Sequence, residues 1–381
     1  MEITGNVQTE PIIFPAGYID FHEDQHVNFQ LNRWHSLGYW TEAEVQQVGE
    51  ILKDVREDVG KLVVVAGEME EAGRALAAAF AYRAAEFFTH PNISDKLAYY
   101  NKFHQMFYNA IKDDRMVGFS IPFQDGFLPA LRFSPVNSKG VIVLIGGLDS
   151  FMEEFYSSAV YFCEAGFDVI LFEGPGQGAA LRNHDLYMTH EWEKPTSAVL
   201  DYFDLSNITL VGLSLGGYLA PRAAAFEPRI SRLILFDIFL YDQHGRGLQR
   251  AIYRLFLKYP GLYNWVAETA MRKSPAMDNV VSQWMYITGV NTPAEWNAMI
   301  EHYSVSDIAS LVTQDILLMA GEDDHMIPFK EFGKNKRGFS NASSITSRVF
   351  TADEHAGYHC QVGNLKLALD VILEWVGRIS A

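Results

Sequence analysis

A serine flanked at two residues' distance by glycines, Gly212-Leu213-Ser214-Leu215-Gly216, follows the apolar run 208–211 and precedes a small-residue stretch, 218–226. Strand, tight turn and helix in that order lift a hydroxyl out of a sheet, and glycine is needed where no side chain fits. Turn chemistry alone could explain such a serine, and the string arises by chance in roughly one chain in ten of this length. Its setting between strand and helix is what points to a nucleophile. A serine hydroxyl is almost un-ionised at neutral pH, so it needs an imidazole to take its proton. A carboxylate must then hold the far ring nitrogen of that imidazole. His359, in Gly357-Tyr358-His359-Cys360, is the expected base, with His355 as rival. Asp324, in Gly321-Glu322-Asp323-Asp324, is the expected carboxylate; Asp237 is its rival and Asp323 the adjacent spare. Two backbone N–H groups must meet the developing oxyanion, and Leu215 and Leu148 are the expected donors. Asp149, beside Leu148, could steer a substrate, hold a water or cap the helix expected near Phe151.

These residues need a scaffold that brings distant segments to one edge. From about residue 116 onward, apolar runs of strand length alternate with helix-length segments, as in a parallel sheet covered on both faces. Strands are expected at 141–145, 168–172, 208–211, 232–236, 316–320 and 344–351, after a hairpin of 117–123 with 127–133. Helices are expected at 153–165, 195–203, 215–226 and 365–379. Each candidate site residue then follows the carboxyl end of a different strand, where open α/β sheets gather their ligands. Residues 41–113 read as helices, started by a capping box of Thr41 with Glu44 and broken at Pro91. The helix 74–88 carries alanines and aromatics on several faces and should be buried on most sides. About seventy residues between 239 and 311 are helical in composition and suit an inserted cap. The expected division is an N-terminal helical domain 1–115, a core of 116–239 with 312–381, and a cap of 240–311.

Half of the 381 residues are hydrophobic, enough for a fully folded chain. The formal charge of −17, from 30 basic and 47 acidic residues, repels phosphate backbones and anionic lipid. Neither a nucleic-acid partner nor a membrane partner is expected. The start, Met1-Glu2-Ile3-Thr4, lacks a basic segment followed by an apolar one, and no apolar run approaches the roughly 18 residues of a membrane span. Two cysteines, Cys163 and Cys360, give no disulfide framework and fit a reducing cytoplasm.

Two other motifs compete. His22-Glu23-Asp24-Gln25-His26 matches the H-E-x-x-H of zinc peptidases, which needs both histidines on one helix face. Val27, Phe29 and Leu31 alternate as in an extended segment, so a zinc site is not expected. Gly174-Pro175-Gly176-Gln177-Gly178 resembles a nucleotide loop, yet no helix is expected to open directly on it and the G-x-G-x-x-G spacing is not met. No metal or organic cofactor is implied.

The combination of the serine turn with Gly146-Gly147-Leu148-Asp149-Ser150, Phe172-Glu173-Gly174-Pro175-Gly176-Gln177-Gly178, Gly321-Glu322-Asp323-Asp324 and His359-Cys360 resembles α/β-hydrolases that carry an N-terminal helical domain. That group includes 2,6-dihydropseudooxynicotine hydrolase and fungal hydrolases that shorten polyketide precursors. The resemblance implies an α/β-hydrolase fold with Ser214, Asp324 and His359 as its catalytic residues. It places the family's second acidic position on Asp149, closes the pocket with the N-terminal helices and the cap, and implies a homodimer. Trp34 and the cap tryptophans are the expected pocket walls. The implied activity is cleavage of a C–C bond next to a ketone, or of an ester, in a medium-sized carbonyl substrate. Transfer of the acyl group to another nucleophile, making a transferase or cyclase, is the alternative, and a non-catalytic ligand-binding protein of the same fold a more distant one.

Overall fold

Strand-length apolar runs become eight strands of one sheet in the computed structural model, which describes residues 12–237, 252 and 255–379. β1 (Met116–Phe123) and β2 (Gly126–Phe133) form an antiparallel hairpin, and β2 pairs antiparallel with β4 (Asp168–Phe172). The parallel part adds β3 (Val141–Ile145), β5 (Ile208–Leu213), β6 (Ile230–Phe236), β7 (Asp315–Gly321) and β8 (Ser344–Phe350). The order across the sheet is β1-β2-β4-β3-β5-β6-β7-β8.

Because strand side chains alternate between faces, each central strand feeds two cores. Ile142, Leu144, Val169, Leu171, Val211, Ile234, Leu317 and Met319 join one cluster. Their neighbours Val143, Ile145, Ile170, Phe172, Leu210, Leu233, Leu235, Ile316 and Leu318 join the other. The C-terminal helix Leu365–Ile379 buries Leu365, Ala368, Leu369, Ile372, Trp375 and Val376, a stripe at helical spacing, on the first core.

Among the described residues, five helices precede the sheet: α1 (Gln25–Ser36), α2 (Glu42–Ile51), α3 (Val55–Glu71), α4 (Ala75–Phe88) and α5 (Asp95–Ala110). The Thr41–Glu44 capping box starts α2, and α4 is buried on most sides, as its composition requires. The extended segment expected at Val27, Phe29 and Leu31 is instead α1. Asp24 caps it by accepting from the His26 and Val27 amides, and Val27, Leu31 and Trp34 form a helical stripe. Every residue from Val27 to Asn32 is buried, so the period-two pattern was only part of an all-round burial.

After β3 come α6 (Tyr156–Glu164), α7 (Gly178–His184) and α8 (Glu193–Tyr202), and β5 leads into α9 (Gly216–Phe226). Between β6 and β7 the chain forms helices Pro260–Lys273, Pro275–Thr288 and Pro293–Ile300. The first part of the expected cap, 240–251 with 253 and 254, lies outside the described residues. These inserted helices are tied to the core through Met188 N–H to Ile287 O at 2.8 Å and Tyr218 O–H to His302 O at 2.9 Å. No described helix is long and apolar enough to cross a membrane.

Candidate active site

Ser214 sits between β5 and α9 with φ +56°, a left-handed conformation that costs a residue with a side chain about 1–3 kcal/mol. Its amide is held by Phe236 O at 3.1 Å. A Cβ on Gly212 would lie 2.1 Å from Gly216 O, and one on Gly216 would lie 2.8 Å from Ile145 O. The two glycines therefore let α9 fold back against β5 and the end of β3, and the serine is left at the apex.

Asp324 follows β7 and His359 follows β8, and the two meet Ser214 in one line. His359 Nε2 lies 2.8 Å from Ser214 Oγ, and His359 Nδ1 lies 2.7 Å from Asp324 Oδ2. The other oxygen of Asp324 accepts from the Met326 and Ile327 amides at 2.7 and 2.8 Å. Burial opposes the charge of Asp324, but the His359 ring and these two amides outweigh it and hold the carboxyl below its ordinary value. Burial also pulls His359 down, while the Cys360 sulfur and the Asp324 carboxylate push it up, and the net result is well above the usual imidazole value. Burial raises the Cys360 thiol and keeps it neutral near pH 7, so Asp324 is the partner that sustains the shift. With one ring nitrogen on a carboxylate and the other on a hydroxyl, the imidazole can accept the hydroxyl's proton.

Asp237, the rival acid, does not bond to His359. Its Oδ1 accepts from the Gly321 amide at 3.0 Å, and its Oδ2 from the Cys360 amide and from Gln361 Nε2 at 3.0 Å. It thus ties the end of β6 to the end of β7 and to the turn that carries His359, where Cys360 and Gln361 both have positive φ. Burial pushes its carboxyl up to about 7, against the opposing charge of His359. Asp237, His359 and Cys360 bring ligand-type atoms within 4.8 Å of one another. Both oxygens of Asp237 and both nitrogens of His359 are already engaged, so the cluster does not fit a metal ion.

The loop after β3 is pinned from behind. Gln177 Nε2 donates to Gly146 O at 3.2 Å and to Gly147 O at 3.0 Å, and Ser150 Oγ accepts from the Gly147 amide at 3.1 Å. A trans peptide is planar, so fixing the Gly147 carbonyl turns the Leu148 N–H the opposite way. In the same manner Ser214 O accepts from the Gly217 amide at 2.7 Å, which sets the direction of the Leu215 N–H. Neither the Leu148 nor the Leu215 amide has an acceptor among the described residues. Gly147 packs directly on the serine, since a Cβ there would lie 3.0 Å from Ser214 Cβ.

Asp149 is not a helix cap. Arg83 Nη2 of α4 donates to its backbone O at 2.6 Å, and Gln283 Nε2 of the inserted helices donates to its Oδ2 at 3.1 Å. Arg83 has no exposed side-chain surface and also bonds Glu154 and Glu86; Glu86 in turn takes Arg182 and Lys96. Unpaired, any of these buried charges would be strongly destabilising. Sequence reading missed Arg83, Gln177 and Gln283. A signal for the first existed: an arginine within an alanine-rich helix that lacks a polar face must find a buried partner.

Trp34, an expected pocket wall, is instead core. It has no exposed surface, donates its indole N–H to Glu154 Oε1 at 2.8 Å and packs edge-on against Trp40, Phe87 and Phe88. His355 is exposed, and so is Asp323. In the H-E-x-x-H string, His22 precedes α1; its Nδ1 accepts from the Asp24 amide at 2.9 Å and its Nε2 bonds Leu52 O. His22, Glu23 and His26 therefore share no helix face. A helix does open on the glycine-rich turn, contrary to expectation, since α7 begins at Gly178. Its first turn is occupied by Glu173, which accepts from the Ala179 amide at 2.6 Å, and Gly174 and Gly176 abut Trp192 and Met188. No space remains there for a phosphate.

The sequence profile of the alpha/beta hydrolase family matches residues 142–359. Hydrolase LUC6 of Fusarium sp. is 30% identical over 289 residues, 66% of this chain and 68% of its own length. The 20-hydroxy-prefusarin hydrolase FUS2 of Gibberella moniliformis is 30% identical over 368 residues, 86% of this chain and 87% of its own length. The crystal structure of 2,6-dihydroxy-pseudo-oxynicotine hydrolase shares the fold, with a TM-score of 0.63 at 18% identity over 92% of this chain and 94% of that one.

Proposed function

Since the chain belongs to the alpha/beta hydrolase family, we propose that it is a serine hydrolase acting through an acyl-enzyme on Ser214. The Ser214 hydroxyl attacks a carbonyl carbon while His359 takes its proton, and Asp324 stabilises the imidazolium that forms. The Leu148 and Leu215 amides receive the developing oxyanion. The proton on His359 passes to the leaving group, and water attacks the acyl carbon with His359 again as base. The observation that carries this reading is the unbroken line of hydrogen bonds from Asp324 through His359 to Ser214.

The substrate class is a medium-sized ketone, diketone or ester. A relative over most of the chain, named as the hydrolase of 20-hydroxy-prefusarin, supports a small organic substrate. In this reading the segment 1–115 and the cap 240–311 enclose the site between them, and Asp149, which bonds residues of both, is where they meet. The test is labelling with a fluorophosphonate followed by peptide mapping. Modification is expected on Ser214 and absent in Ser214→Ala; full turnover by that variant would refute the assignment. Hydrolysis in ¹⁸O-water is expected to place the label in the released acid, which transfer to another nucleophile would not do.

A further inference from the structure

The turn that carries His359 is strained and is supported from two distant parts of the chain. His355, Cys360 and Gln361 have φ of +55°, +51° and +49°, and Gly363 has +108°. Left-handed residues persist only where their surroundings over-determine them. Asp237 supplies the first support, accepting from the Cys360 amide and from Gln361 Nε2. The second comes from residues 12–24, which precede α1 and form neither helix nor strand. Gly17 N–H donates to Gly363 O at 2.6 Å, and the Tyr18 ring stacks on that of Tyr358, with centroids 3.7 Å apart and planes 18° from parallel. The approach is close enough that a Cβ on Gly363 would lie 3.1 Å from Tyr18 Cβ. The segment is itself fixed to α1. Ile19 exchanges two hydrogen bonds with the buried Asn32 side chain, at 2.9 and 2.8 Å, and the Phe21 amide donates to the buried Asn28 Oδ1 at 2.8 Å. At the end of the same helix Ser36 Oγ accepts from the Gly363 amide at 2.9 Å, across 327 residues of sequence.

We propose that Tyr18 is a positioning residue for His359: its ring, stacked on Tyr358, holds the backbone from which the imidazole reaches Asp324 with one nitrogen and Ser214 with the other. The inference rests on the reading of Ser214 as nucleophile and His359 as base. Tyr358 directly precedes His359, so a shift of its ring is carried to the next Cα through one planar peptide. The hydrogen bonds to Asp324 Oδ2 and Ser214 Oγ orient the imidazole, yet those partners stand on other loops and do not fix the turn itself. A displacement of about 1 Å at reacting groups can cost about 10²-fold in rate. Asp237 still holds part of the turn when the stack is lost, so the expected loss is smaller, about 10-fold. The stack depends on the flat face of the ring and not on the Tyr18 hydroxyl.

The full chain, Tyr18→Phe, Tyr18→Leu, Tyr358→Leu and the double variant Tyr18→Leu/Tyr358→Leu are to be compared in turnover of p-nitrophenyl acetate and in the rate of fluorophosphonate labelling. The ¹H NMR signal of the His359 Nδ1–H held by Asp324 is followed in each, and urea unfolding records stability separately. Tyr18→Leu keeps apolar volume but no flat face, and is expected to lower kcat and the labelling rate together by about 10-fold, or about 1.4 kcal/mol in the barrier. KM should change little, and the N–H signal should broaden. Tyr18→Phe keeps the ring and is expected to leave kcat, labelling rate and signal near those of the wild type. Tyr358→Leu reads the same contact from the side of the turn, so the test stands even where one Tyr18 variant does not fold. The double variant is expected to be no worse than either single one, because the two rings act as a unit. A Tyr18→Leu chain that loses stability but keeps the wild-type kcat and N–H signal overturns the inference, as does equal loss in Tyr18→Phe or a double variant in which the single losses multiply. Absence of labelling at Ser214 in the wild type overturns the nucleophile reading itself, and the inference with it.

Discussion

Gln177→Met tests whether the loop after β3 must be held from behind. The side chain is 2% exposed, and its amide makes three hydrogen bonds: it accepts from the Gly174 amide at 3.1 Å and donates to the Gly146 and Gly147 carbonyls. Methionine keeps the volume and the reach but neither donates nor accepts strongly at those positions. Two buried carbonyls and one amide lose their partner, at about 1–3 kcal/mol for each, so stability should fall by at least about 3 kcal/mol. The larger effect is on chemistry. Once the Gly147 carbonyl is released, the Leu148 peptide plane can rotate and its N–H no longer has a fixed direction. Loss of one such donor costs about 10²–10³ in kcat, or roughly 3–4 kcal/mol. The expected result is therefore a fall of about 10² in kcat on p-nitrophenyl acetate, with KM little changed and the rate of fluorophosphonate labelling falling in parallel. Urea unfolding measures the stability change separately. A Gln177→Met chain that is destabilised as stated but keeps wild-type kcat would refute the claim that this peptide plane serves the oxyanion.

Since His359 must be unprotonated to act as a base, kcat/KM should rise with pH along an acid limb. Its midpoint lies above the ordinary imidazole value of about 6.5. Asp324→Asn should move that limb to lower pH, because burial then acts with less opposition, and lower kcat by about 10⁴; a pH–rate profile of both chains checks the direction. Arg83→Met leaves Glu154 and Glu86 short of a buried partner and frees the Asp149 carbonyl, so stability should fall by about 3–5 kcal/mol together with kcat, read by urea unfolding and ester turnover. Gly212→Ala should prevent accumulation of folded chain, since its Cβ would lie 2.1 Å from a backbone oxygen, whereas Gly60→Ala, in α3 with nothing within 4 Å, should stabilise by about 0.5–1 kcal/mol. Thermal denaturation distinguishes the two.

The parallel strands were legible because a strand buried on both faces is a short apolar run with turn residues at each end, and such runs leave little choice of boundary. The line from Asp324 through His359 to Ser214 was legible for a related reason: each residue follows a strand end, and strand ends converge. At α1 the same logic misled. Val27, Phe29 and Leu31 satisfy period two, while Val27, Leu31 and Trp34 satisfy the helical spacing. Only burial of the intervening Asn28, Gln30 and Asn32 separates the two readings. Those polar residues look solvated in sequence. Asn28 Oδ1 in fact accepts the Phe21 amide at 2.8 Å, and Asn32 donates to Ile19 O at 2.8 Å, so they serve as internal partners for a segment without secondary structure.

The same blindness covers the contacts that hold the site. Arg83 reaches Asp149 across 66 residues of sequence and Gln283 reaches it across 134, and no local spacing records either pairing. What sequence does record is the demand for a partner. A charge in a helix without a polar face must be satisfied by a buried partner. Arg83 finds its partners within the chain.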